Sequence, residues 1–427
     1  MYSKYIDAII PLLPIIGATI GFALAFILIS RLMREKQRPS NTFAWLLIII
    51  LAPYVGVPLY IVFGGRKLAR LKEDKSPLRL LPPESDESVR FDTPFGIITE
   101  GNRTKFLHDG IDAFDTLVEE IRTAEKQICI TTFILSHDAV GRRIVKELAE
   151  KAKQGIEVRL LVDGLGSFGK KTFYILLTKA GGKIERFMPV LPISSLGRAN
   201  LRNHRKVAIF DNYRAIIGGR NIGREYMGPN ALSKRWKDFG VLIEGPAIMP
   251  LASIFEADWT FAGTKKGYKP KPIPRIENID APDKKVIEIM ASGPDTQGDP
   301  IYEKILSVIQ EAEEEIIIAT PYFLPDEVLL RSLMVKARTG KQVTIIVPKR
   351  SNHRITDLAR SHYIRELLEA GARNSTRSGS ASASQSSIGS APSATSTRAR
   401  TTSAGGPTTA SSTRWAARVI STSGSSP

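Results

Sequence analysis

A histidine and a lysine stand two residues apart in the middle of the chain, at His204 and Lys206, and Asp211 follows five residues later. After six intervening residues comes the run Gly218-Gly219-Arg220-Asn221. The apolar run Val207–Phe210 predicts a strand, in which alternate side chains share a face, so His204 and Lys206 are expected in one pocket. A neutral imidazole can attack phosphorus and form a covalent intermediate. The spacing therefore predicts a phosphate-transfer site with His204 as the nucleophile or its acid/base partner.

The polar residues around this pair suit the same chemistry. Lys206 and the amide of Asn221 can hold the non-bridging phosphate oxygens as negative charge gathers on them. The glycine pair lets the backbone approach a phosphate closely. Asp238 is expected to fix the histidine tautomer, whereas Asp211 is expected to stabilise a loop. Two further interpretations stay open, namely Asp238 as a solvated carboxylate at a strand start and the motif as a basic strand edge.

From about residue 100 the chain alternates helical and strand patterns, which predicts an α/β architecture. In the first lobe, 100–263, the predicted helices are Ile111–Glu125, Ala139–Gln154 and Thr172–Ala180, and the predicted strands are Ile128–Ile134 and Glu157–Val162. The stretch 264–283 is rich in lysine and proline. Because proline cannot donate to a sheet, this stretch is expected to be a linker.

After the linker the first pattern returns. Ala-Glu-Lys-Gln-Ile-Cys-Ile from Ala124 is echoed by Ala-Glu-Glu-Glu-Ile-Ile-Ile from Ala312. A second helix and strand are echoed by Val328–Arg338 and Val343–Val347, and Tyr-Ile followed by Ala-Gly recurs as well. Three echoes in the same order indicate a duplicated lobe, expected at 284–373.

Residues 1–66 are expected to form a membrane hairpin. Ala8–Ser30 and Thr42–Gly65 contain no charged residue, and each is long enough to cross a bilayer as one helix. Prolines within them, among them Pro53 and Pro58, are expected to bend or break the helices, so that one segment could be shallow. Basic residues follow both segments, so their distribution leaves the orientation open.

The formal net charge of +17 indicates an anionic partner, either nucleic acid or an acidic lipid surface. The single cysteine, Cys129, lies in an apolar run and is expected to be a small buried hydrophobe. Charge alone does not choose between the two partners.

Several motifs together resemble bacterial cardiolipin synthases of the phospholipase D superfamily. H-x-K-x4-D followed by Gly-Gly-x-Asn is the superfamily pattern, and the spaced second half makes it specific. Trp45 to Gly64 looks like the membrane hairpin of those synthases. The runs Gly219–Gly223, Ile243–Ala247 and Thr320–Glu327 are similar to them too, so that the resemblance covers about residues 40–373.

The resemblance implies phospholipase D-like mixed-sheet lobes preceded by two transmembrane helices, as a multi-pass protein of the bacterial inner membrane. It also implies a transphosphatidylation, in which one phosphatidylglycerol gives its phosphatidyl group to the enzyme histidine and a second accepts it. The implied catalytic residues are His204, Lys206, Asp211, Asn221 and Asp238. Phosphatidylglycerol and anionic lipids are the expected partners, with no nucleic acid, no cofactor and no metal ion.

The C-terminal part departs from this family. A second H-x-K-x4-D is expected after Ala370–Arg373, yet 374–427 contains no His, Lys, Asp or Glu. His353 and His362 lack the spacing and are expected on a helix surface. The second lobe is therefore expected to be truncated. The low-complexity stretch 374–427 is expected to be a disordered tail, either natural or produced by a frame-shifted reading of a GC-rich gene.

Because the sequence has only one of the two H-x-K-x4-D motifs of this family, several functions stay open. The chain is expected to be a phosphatidyltransferase by family, with a phospholipase D-like hydrolase or a nuclease as enzymatic alternatives. A catalytically inert membrane protein is the non-enzymatic alternative. Two chains could also pool their single motifs in a homodimer.

Overall fold

The computed structural model describes residues 26–27, 29–30, 39–63, 89–93, 96–167, 169, 171–188, 202–263, 285–292, 299–351 and 354–377. The predicted linker 264–283, His353 and the stretch 378–427 lie outside the described residues. So does the predicted membrane segment Ala8–Ser30, except for four residues near its end.

The second predicted membrane segment, Thr42–Gly65, is not one helix. It is divided into α1 (Pro39–Leu51) and α2 (Pro53–Phe63), with the break at Ala52. Proline lacks a backbone N–H, so residue 53 cannot continue the first helix but is well suited to begin the next. The expectation of a single spanning helix here was wrong. Among the residues that the structure describes, no helix is both long enough and apolar enough to cross a membrane.

Helices α1 and α2 pack against each other as an antiparallel hairpin. The rings of Trp45 and Tyr60 meet edge to face with centroids 5.4 Å apart. A Cβ at Gly56 would lie 2.7 Å from the carbonyl oxygen of Ile48, so only glycine permits this close approach. The outer surface of the hairpin exposes large apolar side chains, namely Phe43, Leu47, Ile50, Leu51, Tyr54 and Val55.

A mixed sheet forms the first lobe. Its strands are β1 (Val89–Thr93), β2 (Gly96–Leu107), β3 (Gln127–Thr132), β4 (Glu157–Asp163), β5 (Lys183–Phe187), β6 (Val207–Phe210), β7 (Arg214–Gly218), β8 (Gly240–Glu244) and β9 (Lys285–Ile289). The strand order is β1-β2-β8-β7-β6-β3-β4-β5, and β9 pairs with β2. Strands β3, β4 and β5 are parallel, whereas β6, β7 and β8 run antiparallel to their neighbours. The α/β prediction is therefore confirmed for the described part of the chain.

Helices cover both faces of this sheet. They are α3 (Gly110–Thr123), α4 (Ala139–Lys153), α5 (Ile175–Lys179), which follows a 3₁₀ turn, and α6 (Ile248–Gly263). Alternate residues of β3 and β4, such as Ile130 and Leu160, pack with α3, α4 and α5 in the main core. On the opposite face, Arg159 forms a buried ion pair with Glu256 of α6 at 2.6 Å. Cys129 is buried, as predicted, and burial raises the pKa of its thiol to about 12.

Aspartates fix the starts of the helices that the periodicity predicted. Asp109 accepts hydrogen bonds from the backbone N–H groups of Ile111 and Asp112 and so begins α3. Asp138 caps α4 in the same way through Gly141. These caps supply acceptors for N–H groups that have no partner within their own helix, so each helix begins where its aspartate stands.

The second lobe repeats the parallel half of the first. Its helices are α7 (Pro300–Glu311), α8 (Glu327–Arg338) and α9 (Arg354–Glu369), and its strands are β10 (Glu315–Ala319), β11 (Gln342–Pro348) and β12 (Arg373–Arg377). The strands form a parallel sheet in the order β10-β11-β12, like β3-β4-β5. Strand β3 also pairs with β6, whereas β10 lies at the edge of its sheet as far as the structure describes the chain.

Two boundaries differ from those predicted. Strand β9 follows residue 284, where the second lobe was expected to begin, yet it pairs with β2 through Ile97 and Ile289 in the first sheet. Residues 374–377, expected in the disordered tail, belong to β12 and pair with β11. Strand pairing satisfies backbone groups whatever the side chains are, so side-chain composition did not indicate this last strand.

Candidate active site

His204 and Lys206 lie together at the start of β6. Lys206 Nζ is 3.0 Å from His204 Nδ1 and donates to the backbone carbonyl of His204 at 2.7 Å. The ring of Phe133, which follows β3, contacts the His204 ring with centroids 4.7 Å apart. Lys206 is buried, with 8% of its surface exposed, whereas His204 is exposed to solvent. The predicted proximity of the two side chains is thus present, and an incoming phosphate could reach the imidazole from solvent.

The electrostatic state of this pair suits nucleophilic chemistry. Although His204 is exposed at its surface, the protein atoms around its ring displace part of the hydrating water. This desolvation, and then the positive charge of Lys206, lower the pKa of His204 from 6.5 to about 4. Burial lowers the pKa of Lys206 from 10.5 to about 7, although the charges of Asp238 and Asp163 act in the opposite direction. At neutral pH the imidazole is therefore neutral, with an electron pair on one ring nitrogen, and Lys206 is partly unprotonated.

Asp238 stands just before β8 and packs against the glycine pair. A Cβ at Gly219 would collide with its carboxylate, so glycine is required there. Asp238 Oδ1 accepts the N–H of Phe239 at 2.8 Å, and burial raises the pKa of Asp238. The expected tautomer-fixing hydrogen bond to His204 is not formed among the described residues, because Nδ1 faces Lys206 instead. Asp238 acts on the site through its charge beside Lys206.

Asn221 is buried and joins the glycine turn to the loop after β3. Its Oδ1 accepts the backbone N–H of Ile134 at 3.1 Å, and its side chain lies near Tyr226. Arg220 beside it donates to the carbonyls of Leu107, His108 and Asp238. These bonds hold the loop that carries Asn221 close to the loop that carries Asp238.

Asp211 lies at the other end of β6 from His204. Its carboxylate accepts three backbone N–H groups, from Glu125, Lys126 and Gln127, at 2.7 to 2.9 Å. Its positive φ of 54° belongs to the turn between β6 and β7. The geometry therefore assigns Asp211 to the connection between α3 and β3, as expected for a loop-stabilising residue, and not to the substrate pocket.

Three residues of the site were missed in the sequence, namely Asn203, Arg205 and Asp258. Asp258 of α6 is fully buried and receives hydrogen bonds from the side chains of both residues that flank His204. The sequence could have suggested Asn203 and Arg205, because these polar residues alternate with His204 and Lys206. The sequence could not have suggested their common partner, Asp258, since it lies more than 50 residues away.

One histidine outside the motif was predicted to lie on a helix surface. His362 is on the surface of α9, where its Nε2 lies 2.9 Å from Glu366 Oε1, as expected for a helix-surface residue. Within the part of the chain that the structure describes, no group of three His, Cys, Asp or Glu could hold a metal ion.

Family models match most of the folded chain. The model described as "Cardiolipin synthase, PLD-like domain" matches residues 117–259 and 305–382, which include β12. A model described as "Phospholipase_D-nuclease N-terminal" matches residues 23–65, which include α1 and α2.

Curated relatives and solved structures were compared as well. The cardiolipin synthase of Listeria welshimeri is 31% identical over 369 residues, covering 79% of this chain and 76% of the relative. Cardiolipin synthase 1 of Bacillus anthracis is 34% identical over 373 residues, covering 79% and 72%. The crystal structure of phosphatidylserine synthase from Haemophilus influenzae is 16% identical with a TM-score of 0.43, covering 64% of this chain and 74% of that one. From its matched domain and the two curated cardiolipin synthases, the chain belongs to the phospholipase D-like cardiolipin synthase family of phosphatidyltransferases.

Proposed function

We propose that the site transfers a phosphatidyl group from one phosphatidylglycerol to another, giving cardiolipin and glycerol. The observation that carries this proposal is the exposed, unprotonated imidazole of His204 directly above the buried amine of Lys206. An imidazole in this state is a nucleophile at neutral pH, and the amine can neutralise charge on the phosphate. The likeness to cardiolipin synthases supplies the substrate class.

The reaction has two displacements at phosphorus. In the first, an imidazole nitrogen of His204 forms a bond to phosphorus, and the phosphorus–oxygen bond to glycerol breaks. The departing glycerol oxygen takes up a proton. In the second, a hydroxyl of another phosphatidylglycerol loses its proton and attacks phosphorus, and the bond to His204 breaks. Lys206 turns from His204 Nδ1 to a non-bridging oxygen when the phosphodiester binds, and the buried Asn221 lies on the same glycine turn.

Proton transfer to the leaving glycerol oxygen is expected to limit the turnover rate of this chain. The sequence contains one H-x-K-x4-D, so a second histidine of the same kind is absent from it. General acid/base help is typically worth about 100- to 10,000-fold. We therefore expect slow or undetectable turnover for the single chain, unless His204 of a second copy acts as the proton donor in a homodimer.

The α1–α2 hairpin supports a location at the bacterial inner membrane, where anionic lipid is the substrate. Its exposed apolar side chains, among them Leu47, Ile50 and Leu51, would be shielded from water by lipid chains. The net charge of +17 favours an anionic lipid surface. No nucleic-acid partner is proposed.

Covalent labelling tests the proposal directly. The purified chain is mixed with liposomes of phosphatidylglycerol, quenched in denaturant at mildly alkaline pH, where phosphohistidine survives and the acyl esters are retained, and analysed by mass spectrometry. We expect a phosphatidyl adduct on His204, lost in His204→Gln and retained in the matched control His362→Gln. Because the first displacement also lacks its proton donor, absence of the adduct refutes the role of His204 only after an incubation long enough for a step slowed about 10,000-fold. Accumulation of phosphatidic acid without cardiolipin would identify water as the acceptor and favour a hydrolase.

A further inference from the structure

The backbone that carries His204 is not held by strand pairing. Residues 202–206 precede β6 and belong to no strand, so sheet hydrogen bonds do not set the direction of the imidazole. The side chains on either side of His204 both turn to a single group, the carboxylate of Asp258. Such a segment needs anchors elsewhere if a reacting atom is to stay in one place.

Asp258 supplies these anchors from α6. It is 0% exposed, and its Oδ2 accepts a hydrogen bond from Asn203 Nδ2 at 2.9 Å. Arg205 Nη1 lies 2.7 Å from both carboxylate oxygens. A charge-assisted bond in a buried place is stronger and more directional than a neutral one. The residues immediately before and after His204 are therefore bound to the same fixed point.

Further bonds complete the frame around the histidine. Asp163, at the end of β4, accepts the backbone N–H of Asn203 at 3.2 Å. Arg205 donates its backbone N–H to Asn203 Oδ1 at 3.0 Å and its Nη2 to the carbonyl of Ser292 at 3.3 Å. No hydrogen bond joins Asp258 to the imidazole among the described residues, so its effect on the reaction passes through the residues that it binds, which include Asn203 and Arg205 on either side of His204.

We propose that Asp258 is the positioning residue of the active site, holding His204 in line with the phosphorus through Asn203 and Arg205. This inference rests on the proposed function, in which His204 attacks phosphorus. Asp258 gives and takes no proton in the reaction. Its contribution is to limit the motion of the imidazole, because a misplacement of about 1 Å can cost on the order of 100-fold in rate.

A matched pair of variants separates positioning from general stability. Asp258→Asn removes the charge that binds Arg205. Glu256→Gln, two residues earlier in the same helix, also removes a buried charge that binds an arginine, but that arginine is Arg159 of β4 and not part of the motif. Because both changes remove a buried charge, we expect them to lower stability by similar amounts, which thermal melting followed by circular dichroism would check.

The first measurement does not need catalysis. Selective ¹⁵N labelling of the five histidines in the full chain gives ring-nitrogen shifts that report the tautomer, and His204→Gln assigns the relevant signals. We expect the wild-type chain and Glu256→Gln to share the shifts of a single tautomer. In Asp258→Asn the shifts should move toward the average of both tautomers, because the ring no longer keeps its contact with Lys206. Unchanged shifts in Asp258→Asn overturn the proposal.

The second measurement is the rate of the phosphatidyl adduct on His204 in phosphatidylglycerol liposomes. We expect a decrease of about 100-fold in Asp258→Asn and less than about threefold in Glu256→Gln. A normal rate in Asp258→Asn overturns the proposal even if the shifts move. Where the wild-type chain forms no adduct, the proposed function fails, and the shifts alone decide whether Asp258 positions the ring.

Asn203→Ala is the second variant if Asp258→Asn does not fold. It changes no charge and leaves the pair of Arg205 and Asp258 intact, so it separates the effect of position from that of charge. We expect a partial shift of the His204 signals and a rate about 10-fold lower. Wild-type shifts and rate in a folded Asn203→Ala overturn the proposal.

Discussion

Burial of Lys206 has a large electrostatic cost, and replacing this residue tests the charge balance of the candidate active site. The amine is 8% exposed, and burial lowers its pKa from 10.5 to about 7. That difference corresponds to about 5 kcal/mol against the charged form. Lys206→Met keeps the length of the side chain and removes the titration, so the pH dependence of stability should change in a defined way.

The sign follows from proton binding. The pKa of Lys206 is lower in the folded chain than in the unfolded chain, so the unfolded chain binds more protons between about pH 7 and pH 10.5. The free energy of unfolding should therefore rise with pH in this window. Below pH 7 both states hold the proton, and the cost of burying the ammonium group is fully present. Between pH 7 and pH 9 the expected gain in stability is about 2.5 kcal/mol.

Urea unfolding followed by tryptophan fluorescence, at about pH 7, pH 8 and pH 9 in detergent, measures this gain. The difference between the wild-type chain and Lys206→Met removes the contribution of other titrating groups. Lys304→Met is the matched control, because Lys304 is also buried but lies 3.1 Å from Glu288. Its loss should destabilise the chain by about 3 to 5 kcal/mol, since it removes one partner of a buried pair.

Parallel stabilities of the wild-type chain and Lys206→Met across this range, within about 0.5 kcal/mol, would refute the reasoning. The lysine would then be charged at a normal pKa, and its neutral form could not be part of the resting site. The absolute difference at a single pH does not decide this, because Lys206→Met also loses the bonds to His204.

Three further predictions concern the site and the hairpin. Gly219→Ala should slow adduct formation by about 10- to 100-fold, because the methyl group meets the carboxylate packed against it; Gly240→Ala, where a Cβ has ordinary contacts of 3.5 Å, is the control. Asp211→Asn should lower stability by about 1 to 3 kcal/mol in urea unfolding, since a charged acceptor of three N–H groups is lost. It should leave the adduct rate of the folded chain unchanged, and a large decrease would return Asp211 to the catalytic residues. Washes with about 1 M salt or carbonate should leave the chain on membranes, because salt does not screen apolar burial. The double variant Leu47→Ser with Leu51→Ser should be retained less well. Release of the wild-type chain by these washes would refute apolar anchoring.

Local patterns in the sequence predicted much of the fold. Ala139–Gln154 and Glu157–Val162 agree with α4 and β4 to within a residue, because an amphipathic period and a continuous apolar run are properties of neighbouring residues. The echo of Ala124 at Ala312 marks the ends of α3 and α7, where both residues turn the chain into a parallel strand. The spacing of His204 and Lys206 likewise predicted their contact, since only one residue separates them.

Tertiary structure alone decided how the site is held. Asp258 meets Asn203 and Arg205 because α6 packs across the sheet, and no local period relates residues so far apart. The pKa values of His204 and Lys206 depend on the surfaces that cover them, which the sequence does not specify without the fold. The motif determined which chemistry is available, whereas the long-range packing determined the direction and the protonation state of the groups that would perform it, because burial and buried ion pairs exist only once the chain has folded.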